Sequence, residues 1–459
     1  MHPIQENKMG IKPIPSLVLS MSFPIMISMM VQALYNIVDS IFLAQYSEVA
    51  LTAVSLAFPM QNLLIAVAVG TSLGVNSLLA RKLGAKDYVG AEKAANNGLT
   101  LSFFSWILFA ILGLFFSKTF FGFFTDDANL LQMGTQYVTI CFFFSFAIFV
   151  DITCERILQA TGDTIHPMII QSTGAIINII LDPILIFGLF GFPSMGVLGA
   201  AIATVIGQHV ASLLAIYYVR KNKEVKIRAK YFKLEKRTVI DIYAVGLPSI
   251  IMQAIGTIMT TSLNKLLISF GTAAVSVFGV YFRLQSLVFM PIFGLNSGMI
   301  PVLGFNYGAK NPKRMMETIK VGLIVSLLIM TTGFAIFRFL PGTLLSWFNA
   351  SDEMMAIGKI ALPRISLCYI SAGICIALGA LFQAVGDGYI SILISITRQL
   401  VFLLPVAYLL GHFFGLDAVW YAFIIAESSA LGLSLFFFFR VYKKRIQPLY
   451  ATSQVYFSD

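Results

Sequence analysis

Residues 159–163 read QATGD, and residues 383–387, 224 positions later, read QAVGD. The same offset joins Pro24 to Pro248, Gly70 to Gly294, Gly74 to Gly298, and GAK at 84–86 to GAK at 308–310. A single match would be chance. Several at one spacing mark a chain written twice, and the spacing sets the size of each copy.

Both copies are apolar. Of the 459 residues, 58% are hydrophobic and 11% charged, and the mean hydropathy is +0.86. A soluble domain carries roughly 25% charged residues, so the composition is that of a membrane protein. A helix crossing the bilayer needs about 20 apolar residues. Twelve runs qualify: 15–42, 52–80, 95–121, 131–156, 166–191, 196–219, 239–268, 273–303, 315–340, 356–383, 390–412 and 417–440. The expected fold is all-α, with twelve transmembrane helices as two six-helix lobes. The first run is too long for a cleaved leader and has no small-residue cleavage site, so it reads as a retained span. Pro24, Pro59, Pro183, Pro248, Pro291, Pro363 and Pro405 fall inside spans and are expected to bend them. The four cysteines lie in apolar runs without a CxxC and read as small buried hydrophobes; the four histidines are scattered, so no zinc constellation exists.

The net charge of +10 does not indicate nucleic acid, because the basic residues sit in short connections between spans. Arg81, Lys82, Lys86 and Lys93 follow span two. Nine Lys/Arg lie between Arg220 and Arg237, and Lys310, Lys313, Arg314 and Lys320 follow span eight. The opposite connections carry acids, among them Glu48, Asp126, Asp127, Asp352, Glu353 and Asp417. The positive-inside pattern places both termini in the cytoplasm, and the expected location is a bacterial cell (inner/plasma) membrane. Six spans per copy is an even number, so the repeat is parallel, with cargo handled between the halves. The expected division is 1–219 for the first lobe, 220–238 for a basic linker, 239–440 for the second lobe and 441–459 for a tail. The linker reads as a solvated connector that fixes topology, with contact to lipid headgroups as the alternative.

A charge at the bilayer centre costs about 2.5–3.5 kcal/mol on the gentlest scale, so intramembrane acids stand out. LYNIVDSIF places Asp39 late in span one, and INIILDPIL places Asn178 and Asp182 four apart on one face of span five. Asp182 lies about 24 Å along its helix at 1.5 Å per residue, and Asp39 reaches a comparable depth. Pro183 disfavours regular helix at Asp182 and could free nearby carbonyls. Tyr137 in span four and Thr204 in span six can reach the same level. Two carboxylates with an amide and a hydroxyl suit Na⁺ at Asp39, Asn178, Asp182 and Thr204, or a shared proton. Neither acid has a counterpart in the second copy, where Leu263 aligns with Asp39. There Arg398 and Glu427 reach nearly equal depths and form a candidate structural ion pair. Glu155 and Arg156 sit at the cytoplasmic end of span four and read as snorkelling side chains or partners of a loop.

In this order, LYNIVDSIF, GAKD, QATGD and NIILDPILIFG resemble the multidrug and toxic compound extrusion (MATE) family, closest to its MepA-like bacterial branch. The likeness covers about 14 to 440. It implies a V of two six-helix lobes around a central cavity, and antibiotic and xenobiotic export in exchange for H⁺ or Na⁺. It also implies cationic amphipathic drugs as cargo, no cofactor beyond the coupling ion, and a monomer in the lipid bilayer. By the resemblance, Asp39, Asn178, Asp182, Tyr137 and Thr204 carry coupling, and Pro24 is where the first helix bends. One branch of the family also uses acids in the second lobe; here GLPSIIMQAIG has none, so coupling is expected in the first lobe.

The expected function is a secondary multidrug antiporter, not an enzyme. No GxxxxGK[ST] sequence is present, so ATP drive is not expected. The alternative is a flippase for lipid-linked glycans or lipids, which would call for more cavity cations than Arg283 and Arg398. An intramembrane aspartyl protease would need paired motifs that the chain lacks.

Overall fold

The computed structural model describes residues 7–123, 125–348 and 350–455. Twelve spans follow one another. The first six are α1 Ile14–Tyr46, α2 Glu48–Gly84, α3 Tyr88–Gly122, α4a Ala128–Phe143 with α4b Phe146–Ala160, α5 Ile165–Phe187 and α6 Val197–Lys221. The second six are α7 Lys236–Ile268, α8 Thr272–Gly308, α9 Pro312–Phe339, α10a Asp352–Ser366 with α10b Tyr369–Ala384, α11 Tyr389–Phe414 and α12 Ala422–Val441. Ten spans are long and apolar enough to cross a membrane as single helices, and the two bent pairs bring the count to twelve. No strand occurs among the described residues. All four cysteines are buried and free. The expected tail is described to residue 455, ending in a helix, Gln447–Val455.

The repeated QA-x-GD is a helix stop. Gly162 and Gly386 have φ of 95° and 91°, a left-handed conformation that costs a side chain dearly and glycine little. The next residue closes each helix end. Asp163 N–H donates to the Leu158 carbonyl and Asp387 N–H to the Phe382 carbonyl, each at 2.9 Å. This is the six-to-one bond of a Schellman cap. The two GAK segments end α2 and α8 in the same way, with Lys86 and Lys310 at φ 59° and 53°.

The helical assignment runs on past most of the prolines. Helices continue through Pro24, Pro59, Pro183, Pro248, Pro291 and Pro363. Pro405 follows a π-turn, Thr397–Leu403, whose wider winding makes room for a residue that cannot donate. The two breaks sharper than 40° fall at Phe144–Ser145 (48°) and Leu367–Cys368 (45°), and neither holds a proline. At the first, the Phe142 and Phe143 carbonyls accept from Ser145 Oγ (2.7 Å) and Trp106 Nε1 (2.8 Å), so side chains replace the helical bonds.

By contact, the chain forms two compact units, 27–250 and 1–26 with 251–459. These differ from the expected sequence halves because the opening segments of α1 and α7 are exchanged. Within the second-named unit, a Cβ on Gly294 would stand 2.8 Å from Met26 Cα. Within the first, a Cβ on Gly70 would stand 2.8 Å from the Gly246 carbonyl oxygen. Each repeated glycine thus admits the backbone of a helix from the other copy. In unit 27–250, Phe109, Phe142 and Phe149 pack with Tyr137 as a core; in the other, Phe278, Tyr281, Phe337 and Tyr369 do so.

The basic linker is held more closely than a solvated connector. Asn96 Oδ1 accepts from Arg228 N–H (3.0 Å) and Asn97 Oδ1 from Glu235 N–H (2.9 Å). Glu92 pairs with Arg228 at 3.1 Å and Lys93 with Glu235 at 2.6 Å.

Candidate functional site: an acidic cluster shared by four helices

α1 and α5 run side by side in unit 27–250. Gln171 Nε2 donates to Gln32 Oε1 at 3.2 Å. Further along, the Phe42 and Phe187 rings meet edge to face at 6.3 Å. Between these two fastenings lie Asp39 and Asp182. Across from α5, Gly174 and Gly207 let α5 and α6 touch: a Cβ on Gly207 would sit 2.7 Å from the Gly174 carbonyl. That approach brings Thr204 to Asn178.

Asp182 is wholly buried, at 0% exposure. Asn178 Nδ2 lies 3.4 Å from Asp182 Oδ1 and 3.3 Å from Thr204 Oγ1. Turned over, the amide serves better: its nitrogen donates to Asp182 Oδ2 at 3.3 Å and its oxygen accepts from Thr204 N–H at 3.1 Å. We favour the second orientation, in which both amide atoms have partners of the correct polarity. In either, an N–H points at the Asp182 carboxylate.

Asp39 Oδ1 is buried and has no hydrogen-bond partner. No Lys, Arg or His among the described residues lies within ion-pair distance of Asp39 or Asp182; the ion pairs found are elsewhere. Asp39 and Asp182 are within electrostatic reach of each other. Tyr137 is buried and accepts from Gln61 Nε2 at 3.0 Å, within reach of Asp39.

The structure thus places Asn178, Asp182 and Thr204 in direct contact and gathers Asp39 and Tyr137 around them. Gln61 and Tyr35 were missed in the sequence. Gln61 is an amide in the apolar span α2, and Tyr35 lies one turn before Asp39, within electrostatic reach of both acids. Those two features could have flagged them. Pro24 lies within the uninterrupted α1, away from the cluster. In the other unit, Arg398 Nη1 stands 3.4 Å from Glu427 Oε1, inside the π-turn of α11. Arg156 Nη1 donates to Gln159 Oε1 at 2.8 Å, one turn along its own helix.

A duplicated bundle of twelve spans, with unpaired carboxylates inside one copy, defines a membrane transporter. The MatE family model matches residues 24–184 and 248–409, one match per copy and together more than half of the sequence, and the chain belongs to that family. It is 27% identical to the multidrug export protein MepA of Staphylococcus haemolyticus, over 90% of this chain and 91% of the relative. It is 25% identical to an FAD transporter of Shewanella oneidensis, over 96% and 97%. Among solved structures, an outward-facing multidrug resistance MATE family transporter superposes with a TM-score of 0.90 at 28% identity, covering 98% of this chain and 100% of that one.

Proposed function

We propose that the protein is a secondary active multidrug exporter of a bacterial plasma membrane, acting as a single chain with both termini in the cytoplasm. It expels cationic lipophilic compounds in exchange for an inward-moving cation. The observation that carries this is the pair of intramembrane carboxylates, buried Asp182 on α5 and half-buried Asp39 on α1, whose Oδ1 is buried without a partner, with no cationic side chain beside either among the described residues. Two such charges in low dielectric are stabilised by taking up a cation. Loading one changes what holds α1 against α5, which biases the balance between inward- and outward-facing states.

The proton is the better-supported coupling ion. Na⁺ requires oxygen ligands, and Asn178 aims its N–H, not its oxygen, at Asp182 in both orientations. A proton on either acid needs no such cage. Na⁺ coupling has its own support in the four remaining oxygens of Asp39 and Asp182 and the Thr204 hydroxyl.

Proteoliposomes loaded with ethidium and given either a pH gradient or a Na⁺ gradient decide between the two. We expect efflux under the pH gradient and its loss in Asp39→Asn. Efflux that is absent in wild type, or unchanged in Asp39→Asn, overturns the proposal; efflux under Na⁺ alone replaces the ion.

A second reading, export of an anionic aromatic compound, draws on the similar FAD transporter and on Arg283. That side chain is exposed on α8 with no partner among the described residues. Competition of ethidium efflux by FAD tests it.

A further inference from the structure

Unit 27–250 contains a cavity of about 770 Å³ away from the acidic cluster, walled by α3, α4b, α6 and the linker. That volume is within the range of small-molecule pockets, about 300–1,000 Å³. Its interior is apolar, with Phe103, Phe104, Phe146 and Ile216 among the lining residues. The only charged residues on its wall are Arg220, at the end of α6, and Lys233, in the linker. Phe232 and Leu234 flank Lys233 and are 45% and 46% exposed.

We propose that this cavity is a binding site for an anionic glycerophospholipid, with an acyl chain in the aromatic chamber and the acidic headgroup against Arg220 and Lys233. The cations make the case for an acid. Neighbouring Arg228 and Lys93 are neutralised by Glu92 and Glu235. Arg220 and Lys233 have no side-chain partner among the described residues, although they line the same cavity and are exposed. Two unpaired positive charges repel a cationic drug and attract a phosphate. The chamber makes the case for a chain, since a free phosphate would have no use for phenylalanines.

The depth also matches. Arg220 and Lys233 belong to the basic side of the protein, where the expected topology puts the cytoplasmic headgroups, and the wall then descends along apolar helix faces. The inference rests on that topology and not on the coupling mechanism. The site is also built in advance: Asn96 and Asn97 fasten the linker to α3 through its backbone, so the linker wall is fixed without the lipid.

The test uses the full-length protein, purified in detergent and stripped of lipid. It is titrated with palmitoyl-oleoyl phosphatidylglycerol, phosphatidylcholine of the same chains, or glycerol 3-phosphate. Retention by native mass spectrometry and the thermal unfolding midpoint are read together. We expect phosphatidylglycerol to be retained and to raise the midpoint, phosphatidylcholine to do so weakly, and glycerol phosphate not at all. A cation near an anionic lipid is worth roughly fivefold in affinity. Arg220→Gln and Lys233→Gln should each weaken retention by about that factor, whereas Arg220→Lys should keep it. Thr100→Trp, which fills the chamber, should lower retention of both lipids. Equal retention of the two lipids by wild type overturns the proposal. So does unchanged selectivity in the doubly neutralised variant, whose substitutions are on exposed side chains.

Discussion

Gln171 donates a hydrogen bond to Gln32 at 3.2 Å, tying α1 to α5 two turns before Asp39. The bond links two neutral side chains inside a bundle, where a net hydrogen bond is worth about 1 kcal/mol. Its placement matters more than its energy. It helps set the register of α1 against α5, in which neither Asp39 nor Asp182 has a cationic side chain as partner among the described residues.

Removing that tie should impair coupling before stability. Gln171→Leu is expected to shift the unfolding midpoint by only a few degrees and to lower gradient-driven ethidium efflux severalfold. Parallel thermal unfolding and transport assays on the purified variant check both.

The two acids should act as one unit. Asp39→Asn and Asp182→Asn are each expected to abolish efflux under a pH gradient, and the double variant should be no worse than either. Strong non-additivity of this kind is the signature of groups that work together. Losses that simply multiply in a double-mutant cycle would separate their roles.

Close approach of α5 and α6 is built by Gly174 and Gly207. Gly207→Val should push the helices apart, at a cost of about 1–3 kcal/mol for forced overpacking, and carry Thr204 away from Asn178. We expect a lower unfolding midpoint and reduced transport together, with Thr204→Ser retaining both.

At the linker, the carboxyl of Glu235 is held below its ordinary value, chiefly by the hydrogen bond from Lys93. Folding therefore favours its ionised form. The stabilisation is complete above the unfolded carboxylate value, about 4.3, and is lost as pH falls through the lower folded value. An acid-active protease such as pepsin should cut within residues 228–236 faster below about pH 4. Glu235→Gln should flatten that dependence, as followed by mass spectrometry of the fragments.

Much of the fold was legible because it rests on one-dimensional signals. QATGD and QAVGD recur because the same left-handed glycine closes the same helix end twice, and apolar runs mark spans directly. Asn178 and Asp182 were readable as neighbours from their spacing of four, and Thr204 from its depth. The breaks at Ser145 and Cys368 were not, since they arise without proline and depend on donors such as Trp106 from another helix. Gln61 also escaped notice: a lone amide in α2 acquires meaning only when Tyr137 arrives from α4a. The exchange of α1 and α7 was likewise hidden, because Gly70 and Gly294 say only that something comes close, not which helix it is.

That exchange makes the two copies mutually dependent. A polypeptide cut in the linker yields two pieces, and each carries the helix that covers the other's glycine face. Residues 1–219 alone would leave Gly70 and Gly74 facing an empty groove, and residues 220–459 would leave Gly294 and Gly298 bare. Neither piece alone can complete that packing, whereas the two expressed together hold every segment it needs, as the partners of a swapped dimer do.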